Sequence, residues 1–357
     1  MRSILTNIIL LCGRYSVLLL IPLVSALVWV WLYSLDNNSI LGLVLMAPVI
    51  LIAVSTVVLV LGMLLAGVPR HEGVTVSPED VPELWDNWNR VSPASPDMVR
   101  QIIVDGEINA AMAERSRVAG LFGRDQTLVV GIGLMVLLDR PAIEAILEHE
   151  FAHAELRHSH GLTRLVEFFQ TYEAFEDYLE DELPWAAILL AVAFQGIRRW
   201  LKPEILLRSR RHEFEADRQS ADRVGVDTQA AALMLVEGAG ASADMTVYEP
   251  LEIELRGALK APEPPLDRLI RMRADLMSPD NLKKGVDKAL AEDADPESTH
   301  PPLKERLENI GAGSDTKLRP VGRSAFETMV PQETRERLIG ELNKQWTAAV
   351  NRHVGIW

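Results

Sequence analysis

The chain carries 36 lysines and arginines against 50 aspartates and glutamates over 357 residues, a formal net charge of −14. Phosphate binding needs basic patches, so this balance argues against nucleic acid as a partner. A hydrophobic content of 48% and a mean hydropathy of +0.09, beside 24% charged residues, point to a membrane part joined to a soluble part; Cys12 stands alone, so no intramolecular disulfide can form.

From Tyr15 to about Leu35 the sequence is almost unbroken apolar, and a second such run extends from about Ile40 to Val68. Each reaches the roughly 20 residues that a helix needs to cross a hydrocarbon core of about 30 Å. Only Asp36-Asn-Asn-Ser39, a tight polar turn, separates them, and Trp29, Trp31 and Tyr33 sit near it, where aromatic rings favour the interface. The length of the first run, its lack of a clear small-residue cleavage site and the second run behind it argue against a cleaved signal peptide. Arg2, Arg14 and Arg70 fall on the side away from the turn, so both ends are expected in the cytoplasm with the soluble part.

Residues 71–98 read as a polar entry in which Ser77-Pro-Glu-Asp starts a helix, and Trp85 and Trp88, at i and i+3, are expected to pack. Gln101–Val104, Asp105-Gly106 and Glu107–Asn109 carry a hairpin signal with Asp-Gly as the turn. Leu128-Val-Val-Gly-Ile132 is a further short strand. A small sheet thus precedes a part that reads as helical throughout.

Pro141-Ala-Ile-Glu-Ala-Ile-Leu opens a helix with an early proline and continues into His149-Glu-Phe-Ala-His153. His149 and His153 then lie one above the other on one face, where two ring nitrogens can hold a single Zn²⁺ at about 2.0–2.1 Å each. Glu150 follows the first histidine directly, so its carboxylate can flank the open metal position and take a proton from water there. This is the H-E-x-x-H arrangement of a metalloprotease. A catalytic site needs a third protein ligand. The Gly and His of the longer metzincin pattern are replaced by Leu156 and Ser159, and His158 and His160 lack a helical spacing that keeps them on the face of His153.

Leu183–Gly196 is apolar again but, at about 14 residues, falls below the spanning threshold. A single crossing there would strand His153 and any downstream ligand on opposite sides of the bilayer, and the partner segment 167–182 carries too much charge to enter lipid. Residues 163–205 therefore read as a helical insertion, packed on the domain or dipping into the headgroup layer near Trp185 and Trp200. The acidic cluster 173–182 reads as a solvated face. In Arg210-Arg-His-Glu-Phe-Glu-Ala-Asp217, Glu213 and Asp217 are again at i and i+4. Glu213 can bind the metal while Asp217 orients a ligand histidine from behind, and Glu215 reads as solvent-facing. An acidic, proline-bearing loop, 291–301, leads into His300, and helix-forming sequence returns from Pro331 to Asn351.

Four segments in order carry a family resemblance: Ile108-Asn109-Ala110-Ala111, His149-Glu-Phe-Ala-His153, Glu213-Phe-Glu-Ala-Asp217 and Thr299-His300-Pro301-Pro302-Leu-Lys-Glu-Arg306. Over about residues 75–310 the chain resembles the HtpX and type I CAAX prenyl endopeptidase family of membrane zinc metallopeptidases, a gluzincin-like group. The resemblance implies His300 as a donor to the oxyanion of the tetrahedral intermediate, Arg306 as a supporting group, and Asn109 on an edge strand that holds the substrate backbone. Some HtpX-like relatives place true membrane spans in the insertion. The prenyl endopeptidases carry more spans around a large chamber, so membrane protein quality control is the better expectation for a chain with two.

The expected fold class is α+β, predominantly α: a transmembrane helical hairpin over 1–70, a zincin-like metallopeptidase domain with a small sheet over 71–312, and a helical extension over 313–357. The expected activity is peptide-bond hydrolysis with one Zn²⁺ held by His149, His153 and Glu213. Glu150 is the general base and Asp217 stands behind a ligand. Peptides or membrane proteins are the substrates, the lipid bilayer is a partner, and the chain is a multi-pass protein of a bacterial inner membrane. The competing reading is a non-catalytic zinc-stabilised membrane adaptor, which would have no use for Glu150 beside an open metal position.

Overall fold

The computed structural model describes residues 11–36, 40, 44–65, 71–92, 98–116, 124–160, 164, 168–173, 184–313, 316 and 318–354. A 3-10 turn, Gly13–Leu19, leads into α1 (Leu20–Asp36) and α2 (Met46–Leu65). Then come β1 (Val74–Val76), α3 (Pro82–Val91), β2 (Met98–Asp105), β3 (Ala110–Ser116), β4 (Arg124–Gly131), α4 (Ile132–Leu137), α5 (Arg140–His160) and α6 (Pro184–Val224). The rest is helical: α7 (Val226–Ala243), a π-helical turn Asp244–Tyr248, α8 (Glu249–Arg256), α9 (Pro265–Leu276), α10 (Pro279–Ala291), α11 (Leu303–Asn309), α12 (Ala325–Met329) and α13 (Gln332–Val354). The class is α+β with helices predominant, as expected.

The chain divides into two compact units, Met1–Arg70 with Arg115–Phe122 and Arg157–Ile205, and His71–Glu114 with Gly123–Leu156 and Leu206–Trp357. In the first, Tyr15–Leu35 is the one helix among the described residues long and apolar enough to cross a membrane, and α2 contributes the shorter apolar helix Pro48–Leu64. Leu23, Trp29, Leu32 and Tyr33 are exposed, and Trp29 stacks on Tyr33 at 6.1 Å between centroids. These apolar side chains face outward from the helix. Val17, Val60 and Met63 pack with Phe168, Tyr172 and Leu201, so the insertion shares a core with the N-terminal helices. The apolar run from 184 onward opens α6. Arg2, Arg70, the turn 37–39, the end of the second apolar run and residues 174–182 of the acidic cluster lie outside the described residues, as do the side chains of Arg14 and Trp185.

The second unit is built on a sheet of order β1-β2-β4-β3. β1 runs antiparallel to β2, and β2 parallel to β4 with Ile102 opposite Leu128 and Val104 opposite Val130. This corrects the hairpin expected over 101–109: β2 and β3 are not neighbours, because β4 lies between them. The reason is local. Asp105 Oδ1 accepts the Glu107 N–H at 3.0 Å, an Asx turn rather than a two-residue hairpin turn, and the Asn109 carbonyl accepts the Gly131 N–H at 2.7 Å. The 106–109 connection thereby passes over the end of β4. A Cβ on Gly131 would sit 2.0 Å from the Glu107 carbonyl oxygen, so only glycine admits this crossing. β3 is left at the edge of the sheet. The start of the next helix is also displaced: Ser77–Asp80 is a turn, with Ser77 N–H on Asp80 Oδ2, and α3 begins at Pro82. Trp85 and Trp88 pack, with ring centroids 5.6 Å apart.

The core of this unit joins sheet and helices: Ile102, Leu128, Ile132, Leu137, Ile143, Leu147 and Phe151 lie in one cluster with Phe326, Met329, Leu338 and Leu342 of the C-terminal segment. That segment also fixes where α5 begins. Asp139 caps α5, its Oδ1 accepting the Ala142 N–H, and Arg319 binds both Asp139 oxygens. The Ala325 N–H donates to the Leu138 carbonyl at 2.8 Å, and Arg273 Nε to that of Val136 at 2.6 Å. The helix bearing both histidines is therefore held at its first turn.

Candidate metal centre

Phe151 of α5 faces the main core, while Ala152 and Leu156 meet Ala216 of α6. Small side chains at that contact let the two helices approach closely, so the polar residues of the same turns meet. Ser220 Oγ lies 2.9 Å from the Ala145 carbonyl, and Arg223 donates to Glu148 at 3.2 Å and Glu155 at 2.9 Å, bracing α6 on α5.

His149 Nε2 and His153 Nε2 stand 3.0 Å apart, with rings nearly perpendicular. Glu213 faces both: its Oε2 is 3.5 Å from His149 Nε2 and its Oε1 3.2 Å from His153 Nε2. All three residues are buried. Donors around a tetrahedral ion with bonds of 2.0–2.1 Å are separated by about 3.3 Å. The triangle therefore has the dimensions of three corners of such a site. Its chemistry agrees, since Glu213 Oε2 is buried and accepts no hydrogen bond among the described residues. An orphaned carboxylate oxygen beside two converging imidazole nitrogens is a set that a cation satisfies. His149, Glu150 and His153 also offer atoms within 4.8 Å of one another, but Glu150 Oε2 accepts the Met112 N–H of β3 at 3.1 Å, so Glu213 is the better third corner.

Behind the triangle, Asp217 is fully buried with Oδ1 3.0 Å from His149 Nδ1. Arg306 of α11 grips it side-on, Nε to Oδ2 at 2.8 Å and Nη2 to Oδ1 at 2.7 Å, and reaches within 3.5 Å of Glu213 Oε2. His300, two-thirds exposed, places Nδ1 3.2 Å from Glu213 Oε1. Asn109 is exposed just before β3 rather than within it. Glu215 is solvent-facing and paired with Arg218, and the side chains of His158 and His160 lie outside what is described. Two residues of this neighbourhood escaped the sequence reading: Ser220 and Gln229, both buried, whose one trace is a lone amide in an alanine-rich run.

Burial opposes charge on His149, yet the carboxylates of Asp217 and Glu213 beside it outweigh this and pull the imidazole up to about 9 in the metal-free site. Burial would raise Glu213 and Asp217, but the histidines around the first and Arg306 beside the second hold both well below the usual carboxylate range. Glu213 raises His300, against a smaller effect of burial. A metal must therefore displace a proton from His149. Competition with a chromophoric chelator should show affinity rising with pH until about 9 and levelling above. The metal-free protein should do the reverse. A folded value above the ordinary 6.5 gives stability that is complete below about pH 6.5 and lost as pH rises through about 9. A flat affinity across that window would place the proton elsewhere.

Comparison with known proteins gives two matches. The chain is 28% identical over 164 residues to a protein named Protease HtpX homolog from Bacillus subtilis (strain 168), covering 42% of this chain and 55% of that protein. The chain thus spans about half the length of that relative. The model of peptidase family M48 matches residues 97–313, a stretch that contains Asn109, both histidines, Glu150, Glu213, Asp217, His300 and Arg306. On that match, laid over most of the metal-centre unit's sheet and helices, the chain belongs to peptidase family M48.

Proposed function

We propose that the chain is a membrane-anchored, zinc-dependent endopeptidase. The observation that supports this reading is the 3.0–3.5 Å triangle of His149, His153 and Glu213 with the Glu150 carboxylate beside it. These three residues would hold one zinc ion, which when bound lowers the pKa of its water towards neutrality and polarises the scissile carbonyl. Glu150 takes the proton from the attacking water and returns it to the departing amine. Its Oε2 is steadied by the Met112 N–H. His300 donates to the developing oxyanion; beside Glu213 its imidazole holds a proton more readily. Arg306 is a positioning residue, since it is buried and grips Asp217. Asn109, at the entry to the edge strand, holds the backbone of an extended substrate added as a further strand.

Residues 1–70 act as a two-helix anchor, 71–312 as the peptidase domain with the 163–205 insertion, and 313–357 as its extension. The arginines at 2, 14 and 70 keep the peptidase on the cytoplasmic side of a bacterial inner membrane. Membrane proteins under quality control are the natural substrates of such an arrangement. The test is metal removal from the full chain in detergent, with casein and a membrane protein as substrates. Hydrolysis should stop on chelation and return with one equivalent of zinc. A chain that holds zinc and cuts neither substrate is instead the non-catalytic adaptor.

A further inference from the structure

Gln229 is a buried amide that neither metal-site motif accounts for. It stands in the first turn of α7, 1% exposed, in the run Thr228-Gln-Ala-Ala-Ala232. Gly225, at φ +91°, is the single residue between α6 and α7, and the Gln229 N–H closes on its carbonyl at 3.1 Å. An L side chain rarely takes that backbone conformation, so glycine permits the tight reversal. The reversal lays Gln229 against Asp217, twelve residues earlier, and Gln229 Nε2 donates to Asp217 Oδ1 at 3.3 Å. At the other end of the amide, Ser220 Oγ lies 2.7 Å from Gln229 Oε1 and 2.9 Å from the Ala145 carbonyl.

The neighbours dictate which way this amide points. An ionised Asp217 can only accept, so the NH₂ must face it, which leaves the amide oxygen for the Ser220 hydroxyl. A core position that needed only volume would take an apolar side chain without these demands. Arg306 holds Asp217 along one edge, through Nε to Oδ2 and Nη2 to Oδ1. A carboxylate gripped along one edge can still swing together with its guanidinium. The amide supplies a third donor from a different helix, on the oxygen that faces His149.

We infer that Gln229 is a positioning residue of the metal centre: by fixing Asp217 it fixes His149, so α7 governs donors that α5 and α6 present. This rests on the reading of His149, His153 and Glu213 as metal ligands. Zinc affinity of the full chain in detergent, measured by competition with a chromophoric chelator, tests it on wild type, Gln229→Met, Asp217→Ala and the double variant. Loss of a group behind a metal ligand lowers affinity about 10–100-fold. Gln229→Met should lose about tenfold, and should lose nothing further in the Asp217→Ala background, where the group it acts through is gone. A residue that merely fills the core would lower the melting temperature of the metal-free protein and leave affinity alone. Gln229→Asn keeps the amide but is a methylene too short to reach Asp217; it should show the same loss and stands in if the Met variant does not fold. Wild-type affinity in these variants, or an equal loss with and without Asp217, overturns the inference. A wild-type chain that binds zinc and cuts nothing refutes the peptidase reading while this one is still measured; a wild-type chain that binds no zinc refutes both.

Discussion

Glu150→Gln should keep its metal and lose peptide hydrolysis by about 10²–10⁴-fold, the range that a positioned general base supplies. The substitution is nearly isosteric. The Gln amide oxygen can still accept the Met112 N–H that Glu150 Oε2 accepts now at 3.1 Å, so the edge strand stays where it is. The histidines and Glu213 do not depend on Glu150 for their placement: His149 contacts Asp217, Glu213 contacts Arg306 and His300, and His153 contacts Glu213. What disappears is a group able to take a proton from water. The checks are kcat/KM on an unfolded-protein substrate and metal content of the same sample. Activity within about tenfold of wild type would remove Glu150 from the chemistry. Lost cleavage with a retained cellular phenotype would favour an adaptor role.

The largest stability effect is expected at Arg306. The residue is 9% exposed, and its guanidinium lies against two buried carboxylates, Asp217 at 2.7 Å and Glu213 at 3.5 Å. Arg306→Leu leaves both charges without that cation. Breaking a buried pair in this way costs about 3–5 kcal/mol, which for a unit of this size is a fall in melting temperature of about 10 °C or more in the metal-free protein. A bound dication would supply part of the missing positive charge, so the deficit should shrink in the metal-loaded sample. Arg306→Lys should rescue incompletely, because an ammonium cannot make the paired Nε and Nη2 contacts. Equal melting of variant and wild type in both samples would show that Asp217 is held by other means.

The histidine pair was legible because its geometry is local: residues at i and i+4 on a helix share a face whatever the rest of the chain does. The same rule brought out Glu213 and Asp217. The sheet shows where local signals end. Asp105-Gly106 is a turn, as its residues say, yet strand pairing is decided by the contact of Glu107 and Asn109 with Gly131, a contact between segments far apart in sequence. Ser77 and Asp80 carry the signature of a helix start and do make its hydrogen bonds, but as an isolated turn, because Pro82 sets the first helical residue. Gln229 had no signal of its own. An amide in an alanine run becomes informative only when Gly225 has folded it back onto Asp217.

The donors come from three helices separated along the chain, with Glu150 early, Glu213 and Asp217 well behind it, and Arg306 later still. A growing polypeptide carries Glu150 long before Arg306, which braces Asp217, has left the ribosome. Until then Glu213 and Asp217 lack the guanidinium that pairs with them. The site can therefore be complete only once most of the chain has been made.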